Sequence, residues 1–247
     1  MVAGKLRGVR VLLDLLVPSR CAGCQRAGPA LCRECGALLG APRRVRLSGS
    51  LPPVYALGGY RAALRAALLA YKERGRRELA RPFGAALGQA AGQLPGGVPP
   101  VGDAAWLPGA VWLVPVPSRR AATRRRGGDH VRRLADCTAA ALAAGGTPAA
   151  VAPALRLARG ARDSVGLDAA ARAANLAGRI RPREAGLPPP GTGVVLLDDI
   201  VTTGATAAAC TAALAAAGIR VNAVLVVASA APLLQPGGLR DRFVTVC

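Results

Sequence analysis

The sequence predicts an α/β protein: a parallel sheet flanked by helices, preceded by a small cysteine-rich module. The alternation of short strands and helical stretches predicts the sheet. Short apolar strands at residues 111–116, 194–197 and 219–228 alternate with helical stretches, and strands separated by helices form parallel crossovers. A second feature predicts the module, because four of the seven cysteines fall between Cys21 and Cys35. The 247 residues allow one full domain and a small accessory one.

The composition is apolar and strongly basic. Apolar residues make up 52% of the chain, which excludes a wholly disordered basic protein. Aromatic residues make up only 3%, which argues against a nucleic-acid reader that works by base stacking. The formal net charge is +20, and all but two of the basic residues are arginine. These arginines either form a solvated surface or bind phosphate groups.

The pattern of apolar residues predicts four helices. Residues 61–71 place Leu64, Leu68 and Tyr71 on one helix face, and residues 78–93 form a second helical stretch. Residues 129–144 and 206–217 predict two more helices, the first of them capped by Asp129. Residues 41–60, which contain three prolines, are predicted to be a linker or a connecting strand.

The predicted strands place functional residues at one edge of the sheet. Ligands of open α/β sheets bind beyond the carboxyl ends of the parallel strands. Functional residues are therefore expected just after Val116 and just after Leu197. Seven arginines lie between residues 119 and 133. They are expected to hold a diphosphate or a nucleic-acid backbone, with a solvated helix face as the alternative.

The N-terminal cysteines have the spacing of a metal site. Cys21 and Cys24 form one CxxC turn, and Cys32 and Cys35 form a second after seven residues. Two such turns complete a tetrahedral shell of four thiolates, which Zn²⁺ accepts in closed structural sites. The alternatives are a pair of redox dithiols or ordinary buried cysteines. Because four thiolates leave no open coordination position, the predicted zinc is structural.

Residues 194–206 carry the most information about function. The apolar strand ends in Asp198-Asp199, and paired carboxylates can bind sugar hydroxyls or a divalent cation. The turn at residues 202–206 runs into a helix whose first N–H groups can cradle a phosphate. The alternative is an acidic strand end before a capped helix. A nucleotide hydrolase would also need a G-x-x-x-x-G-K-[ST] loop, which neither lysine provides.

The motif LLDDIVTTGAT at residues 196–206 resembles the phosphoribosyl-pyrophosphate (PRPP) loop of type I phosphoribosyltransferases. Four further motifs accompany the CxxC pair: YKERG at 71–75, VPVPSRR at 114–120, RRRGGDH at 124–130 and RDSVGLDAAARAANL at 162–176. Together with the loop, the order of these motifs resembles the ComF family of competence-associated proteins. This resemblance covers nearly the whole chain. It implies a zinc-ribbon-like module at residues 1–45 and a type I phosphoribosyltransferase-like domain at residues 46–247.

The resemblance also implies a site and a reaction. Asp198 and Asp199 would hold the ribose hydroxyls of PRPP together with Mg²⁺. The pyrophosphate loop would contain Ser118 and Arg119. The 5′-phosphate would bind Thr202, Thr203, Gly204, Ala205 and Thr206. The implied activity is phosphoribosyl transfer to an unknown nitrogen acceptor. The alternative is a non-enzymatic DNA-uptake protein that binds single-stranded DNA or uptake-machinery partners.

Two further polar residues are interpreted as surface residues. Lys72 shares a helix face with Arg61 and Arg65, which favours a solvated basic face over a catalytic role. His130, directly after Asp129, is interpreted as a helix-surface residue. Because it is the one histidine of the chain, the sequence argues against a hydrolase of the Ser-His-Asp type.

No targeting or membrane segment is predicted. Asp14 interrupts the apolar run near the N-terminus, and Arg20 disfavours a signal-peptide cleavage site before Cys21. Residues 200–219 carry no charge, but their alanines and threonines are too weakly apolar for a membrane span. The expected compartment is the cytoplasm.

Overall fold

A computed structural model describes residues 19–94, 110–118, 123, 128–158 and 179–234. The predicted pyrophosphate residue Arg119 lies outside the described residues. So do most of the arginine run and the motif at residues 162–176. Within the described part of the chain, the fold is α/β, as the sequence predicts, with a mostly parallel sheet flanked by helices.

The main sheet has six strands. In the order of the chain they are β1 (Arg43–Arg44), β2 (Val54–Gly59), β3 (Val111–Pro115), β4 (Ala149–Val151), β7 (Gly193–Val201) and β8 (Ala223–Ser229). Their order in space is β1-β2-β8-β7-β3-β4. All neighbours are parallel except β1 and β2. A separate antiparallel pair is formed by β5 (Leu155–Leu157) and β6 (Ile180–Pro182).

Helices cover both faces of this sheet. One face packs against α2 (Ala62–Glu73), α3 (Ala80–Ala91) and α4 (His130–Ala144), and the other packs against α5 (Ala205–Ala215). The strands alternate between the two cores, because successive strand side chains point to opposite faces. In β7, Val195 and Leu197 face the first core, whereas Val194 and Leu196 face the second. A short helix α1 (Arg33–Gly36) follows Cys32, and 3₁₀ turns occupy Arg77–Leu79 and Glu184–Gly186.

The four predicted helices are confirmed to within a few residues, but β7 is longer than predicted. It continues past Leu197 to Val201, because β8 runs beside it and pairs Asp198 with Val226 and Val201 with Ser229. The acidic pair therefore lies inside a strand. The region predicted as a linker or connecting strand contributes β2, which pairs with β8.

Helices α3 and α4 cross at unusually close range. A Cβ atom built on Gly84 would lie 2.4 Å from Cβ of Cys137, and one on Gly88 would lie 2.7 Å from Cβ of Ala141. Hydrogen atoms at these two positions let the helix backbones approach each other directly.

The outer edge of the sheet at β1 is covered by a later segment. The Arg46 amide donates to the Pro232 carbonyl at 2.9 Å, and the Leu234 amide donates to the Arg44 carbonyl at 2.8 Å. Val45 and Leu233 form an isolated antiparallel bridge between these contacts. Across the described ranges, no helix is both long and apolar enough to span a membrane.

Candidate functional site

The candidate site lies where the parallel strands end. The Val116 amide donates to the Leu197 carbonyl at 2.9 Å, so the exit from β3 stays beside β7. Thr202 and Thr203 follow β7 directly and are exposed. The loop after β7 and the loop after β3 thus meet at one edge of the sheet, as the sequence predicts.

Gly204 makes the turn from β7 into α5. Its φ is +80°, in the left-handed region, and α5 begins at the next residue. A Cβ atom at this position would lie 2.9 Å from Cδ1 of Leu51 and 3.0 Å from Cδ1 of Leu47. The left-handed backbone favours glycine here, and any side chain would also have to displace the methyl groups of Leu51 and Leu47. The Thr203 hydroxyl accepts a hydrogen bond of 3.4 Å from the Ala205 amide.

A pocket of about 280 Å³ opens beside this turn, between residues 48–51 and residues 203–208. Gly204 and Ala205, at the start of α5, line this pocket. The first N–H groups of a helix have no partner within the helix, and the helix dipole adds positive potential at this end. These groups make the pocket suitable for binding an anion.

The two aspartates of β7 point to opposite faces of the sheet. Asp198 is partly buried, and its Oδ1 accepts a hydrogen bond of 2.8 Å from the Asp199 amide. Burial, and then the charge of Asp199, raise the pKa of Asp198 well above its usual value. Asp199 is only 1% exposed and faces the helices α2 and α4.

Asp199 is held by two side chains from separate helices. Its Oδ2 lies 3.1 Å from Nζ of Lys72 and 3.2 Å from Nε2 of His130. Burial alone would raise the pKa of Asp199, but the hydrogen bond from His130 and the charge of Lys72 outweigh it. The pKa of this carboxyl is therefore held below its usual range. We call Lys72, His130 and Asp199 the buried triad.

The buried triad overturns both surface interpretations. His130 is 5% exposed, and its carbonyl accepts a hydrogen bond of 2.6 Å from the Tyr71 hydroxyl. Lys72 is partly buried against Asp199, so the expectation of a solvated basic face was wrong for this residue. A signal was present in the sequence. Lys72 lies four residues after Leu68, and His130 lies four before Leu134, so each lies next to an apolar stripe.

The ring of His130 has one more polar atom to account for. Nδ1 is buried and has no hydrogen-bond partner among the described residues. This favours the tautomer in which Nε2–H donates to Asp199 and Nδ1 carries only a lone pair. A buried N–H without an acceptor would be the costlier arrangement.

The loop after β3 is tied to the start of α4. The Ser118 hydroxyl donates to Oδ1 of Asp129 at 2.9 Å. The same oxygen accepts from the amides of Val131 at 3.1 Å and Arg132 at 3.3 Å, which confirms Asp129 as the N-cap. Ser118 is therefore fixed at the sheet edge.

The four predicted cysteine ligands come together. The sulfur atoms of Cys21, Cys24, Cys32 and Cys35 all lie within 4.8 Å of one another. The sulfurs of Cys24 and Cys32 are 3.7 Å apart, and a tetrahedral shell with Zn–S bonds of about 2.3 Å places its sulfurs about 3.8 Å apart. The donor set and its spacing fit a metal such as zinc.

The backbone around Cys21 favours a thiolate. Burial raises the pKa of the Cys21 thiol, but hydrogen bonds from the amides of Cys32, Cys24 and Gly23 outweigh it and lower that pKa to about 6. The Cys32 amide lies 3.3 Å from the Cys21 sulfur. Metal ions bind cysteine as thiolate, so this environment suits a ligand.

Family models and curated proteins provide no relative of this chain. No protein-family model matches the chain, and no curated protein matches it significantly. The assignment of function therefore depends on the residues at the edge of the sheet.

Proposed function

We propose that this protein is a phosphoribosyltransferase-like protein of the ComF type that binds PRPP or a related ribose 5-phosphate. One observation carries the proposal. Asp198 and Asp199 lie near the end of β7, which leads through Thr202 and Thr203 into a left-handed glycine and the start of a helix, at the edge of the sheet where β3 also ends. That order of groups provides donors for a phosphate and acceptors for sugar hydroxyls within one short segment.

The 5′-phosphate would bind at residues 202–206. The backbone N–H groups at the start of α5 would donate to its oxygens, and the threonine hydroxyls would add further donors. Gly204 lets the backbone approach the phosphate closely. Asp198, the more accessible of the two aspartates, would accept hydrogen bonds from the ribose hydroxyls.

The buried triad would hold this acidic strand end in position. Asp199 is fixed from α2 by Lys72 and from α4 by His130. Because Asp198 is the adjacent residue on the same strand, any shift of Asp199 would move it too. Mg²⁺, when bound with PRPP, would supply positive charge to the pyrophosphate and ribose oxygens, and carboxylate oxygens are its usual protein ligands.

The reaction proposed is transfer of the ribose 5-phosphate group to a nitrogen acceptor. The bond between C1 of the ribose and the pyrophosphate oxygen breaks, a bond from C1 to the acceptor nitrogen forms, and pyrophosphate leaves. Catalysis would come from positioning and from stabilising the charge that develops, so the chain needs no nucleophile of its own. Ser118, fixed at the end of β3, would lie on the pyrophosphate side.

The cysteine cluster would hold one structural Zn²⁺. A shell of four thiolates leaves no coordination position for a substrate. The cluster also packs against the main domain, because Ala22 lies in the first core and the Gly40 amide donates to the Leu57 carbonyl at 3.0 Å. The metal would therefore stabilise the entry of the chain into the sheet.

Calorimetric titration of the purified protein with PRPP and Mg²⁺ tests this proposal. We expect saturable binding that a twofold excess of ribose 5-phosphate reduces. Single-stranded oligothymidylate is the second ligand, which tests the alternative of a DNA-uptake protein. Binding of the oligonucleotide without any binding of PRPP would overturn the proposal in favour of that alternative.

A further inference from the structure

The proposed reaction has a direction across the sheet, and this direction locates the acceptor. Pyrophosphate would leave on the side of β3, where Ser118 lies, and the ribose would lie over the end of β7. A nitrogen that displaces pyrophosphate from C1 approaches the opposite face of the sugar ring, as in inverting reactions at a sugar carbon. On the other side of β7 the sheet continues with β8 and then β2. The acceptor would therefore lie over the ends of β8 and β2.

The exit from β8 offers an acceptor no charged group. Residues 229–234 contain no charged side chain, and the Ser229 hydroxyl donates to the Ala231 carbonyl at 3.0 Å. The exit from β2 lies at the same level, because Gly59 pairs with Ser229 and Ser229 pairs with Val201. Neighbouring strands are about 4.8 Å apart, so the end of β2 lies about 10 Å from the end of β7. The nearest candidates for contacting an acceptor are therefore the residues that follow β2.

Arg61 follows β2 and is folded back over the edge of the sheet. A Cβ atom built on Gly59 would lie 2.8 Å from Nε and 3.2 Å from Nη2 of Arg61. The guanidinium thus occupies the space that a side chain at Gly59 would take. Leu57, two residues before Gly59, faces the first core. Because side chains alternate along a strand, the guanidinium lies on this same face of the sheet, towards which Asp199 also points.

Arg65, one turn further along α2, is also held in place. Its guanidinium carbon lies 5.8 Å from the centroid of the Tyr60 ring, in a cation–π contact. Tyr60 is fixed in turn, because its amide donates to the Ser229 carbonyl at 2.7 Å and its side chain packs against the first core. We call Tyr60, Arg61 and Arg65 the β2 exit cluster.

Helix α2 connects the β2 exit cluster to the acidic end of β7. Arg65 and Lys72 are seven residues apart, so they lie on the same helix face and about 10 Å apart along its axis. Nζ of Lys72 lies 3.1 Å from Oδ2 of Asp199. The cluster therefore lies beside the proposed ribose site, at the distance that the strand spacing also gives.

Both guanidinium groups of the cluster are exposed and lack an acidic partner. Among the residues that the structure describes, no carboxylate pairs with Arg61 or Arg65. The first turn of α2 contains no acidic residue either. Packing against Gly59 and Tyr60, and not an ion pair, restrains these side chains. Side chains that are already restrained lose less entropy when they bind a ligand.

We propose that the β2 exit cluster recognises an acidic group on the acceptor, so that the acceptor is a nitrogen compound that carries a carboxylate. The planar guanidinium group matches a carboxylate in two parallel hydrogen bonds, which fixes the orientation of the acceptor as well as its distance. Arg61 makes this contact, and the charge of Arg65 supports it. This inference rests on the proposed function and adds the chemical class of its acceptor.

Two matched pairs of ribonucleotide 5′-monophosphates test the proposal by calorimetric titration of the full chain. Each nucleotide contains the ribose 5-phosphate that residues 202–206 would hold, and one member of each pair carries a carboxylate on its base. The pairs are orotidine and uridine 5′-monophosphate, and nicotinate and nicotinamide mononucleotide. We expect the acidic member of at least one pair to bind at least tenfold more tightly than its neutral counterpart.

Three variants assign this preference to the cluster. Arg61→Gln should reduce it to less than about threefold. Gly59→Ala should reduce it too without removing a charge, because its methyl group would displace the guanidinium of Arg61. The control, Arg220→Gln, removes an exposed charge just before β8 begins, at the opposite end of the strands, and should keep the preference. Circular dichroism checks that all three variants are folded.

A titration of the parent protein with PRPP and Mg²⁺ separates this inference from the proposed function. If PRPP binds but neither pair shows a preference for the acidic member, the acceptor class is wrong and the proposed function stands. If PRPP and all four nucleotides fail to bind, both proposals fall. Equal loss of preference in Arg61→Gln and Arg220→Gln would show a general effect of charge and overturn the assignment to the cluster. Binding of oligothymidylate that depends on Arg61, without such a dependence for the acidic nucleotides, would also overturn it.

Discussion

Asp199 shows how a single buried carboxylate can organise a site. Lys72 and His130 reach its carboxylate from two different helices, at 3.1 Å and 3.2 Å.

 Helix α2 ends at Glu73 and α4 begins at His130, so the carboxylate joins segments that are distant in sequence. Because Asp199 is almost completely buried, the loss of either partner leaves a charge that water cannot solvate.

The first prediction concerns Lys72. Lys72→Met should lower the free energy of unfolding by about 1–3 kcal/mol, because the buried carboxylate of Asp199 then loses the positive charge of Lys72. The control is Arg74→Met, an exposed residue that follows the same helix, where we expect a change below about 0.5 kcal/mol. Urea denaturation measures both. Equal losses in the two variants would contradict the role of Lys72 in the buried triad.

The second prediction concerns the turn at Gly204. Gly204→Val should weaken PRPP binding more than Thr202→Ser does, because valine disfavours a φ of +80° and its Cβ would meet Leu51 and Leu47. Thr202→Ser keeps the hydroxyl and should change affinity by less than about threefold. Calorimetry with PRPP and Mg²⁺ gives both affinities. A larger loss in Thr202→Ser would mean that the backbone of the turn does not hold the phosphate.

The third prediction concerns the sugar side. Asp198→Ala/Asp199→Ala should reduce PRPP affinity at least tenfold, since hydrogen bonds to charged groups contribute roughly 1.5–3 kcal/mol each. Because this variant also disturbs the buried triad, Asp198→Asn is measured beside it as the milder change. The assignment of the ribose site fails if both variants bind PRPP as tightly as the parent protein.

At the scale of single residues, the sequence predicted arrangements within one short segment better than contacts between distant segments. The cysteine spacing and the order of Asp198, Gly204 and the following helix could be interpreted locally, because each lies within one short segment. The partners of Asp199 could not, since they depend on how α2 and α4 pack against β7. The helix face that Lys72 shares with Arg61 and Arg65 suggested that Lys72 faces solvent, and tertiary packing overrode this pattern.

At the scale of elements, apolar periodicity predicted the helices well because each has one buried face. Strand ends were harder to predict. The predicted end of β7 at Leu197 followed the change from apolar to acidic residues, but the strand continues because β8 supplies hydrogen-bonding partners as far as Ser229. Polar residues can extend a strand when their backbone groups are paired.

The fourth prediction concerns the crossing of α3 and α4. Gly84→Ala should destabilise the protein by about 1–3 kcal/mol, because the new methyl group overlaps Cys137 and the α4 backbone. Gly92→Ala is the control: its Cβ would lie 3.6 Å from the Gln89 carbonyl oxygen and its φ is −67°, so alanine fits. Both midpoints are read from urea unfolding. If Gly84→Ala is as stable as Gly92→Ala, the helices do not approach as closely as described.

At the scale of the whole molecule, the cysteine cluster packs against α2 and the residues that follow it. The guanidinium of Arg76 donates to the Arg20 carbonyl at 3.0 Å, beside the first cysteine. A Cβ on Gly23 would lie 3.2 Å from Cβ of Ala63 in α2. The cluster is therefore packed directly on the domain.

The fifth prediction concerns the metal. The purified protein should carry about one Zn²⁺ per chain, and Cys32→Ser/Cys35→Ser should lose it. Cys137→Ser, a cysteine outside the cluster, should retain the metal. Elemental analysis by mass spectrometry measures all three proteins. Unchanged zinc in the double variant would exclude these cysteines as its ligands.

The position of β8 has a consequence for biosynthesis. Of the described strands it is the last in sequence, yet it lies between β2 and β7 in the sheet. During translation the nascent chain therefore holds two incomplete half-sheets, each with an unpaired apolar edge, until residues 223–229 have left the ribosome. Unpaired strand edges are sites of aggregation. Chains that stop before residue 223 are accordingly expected to need chaperones, even though they retain every residue of the proposed PRPP loop.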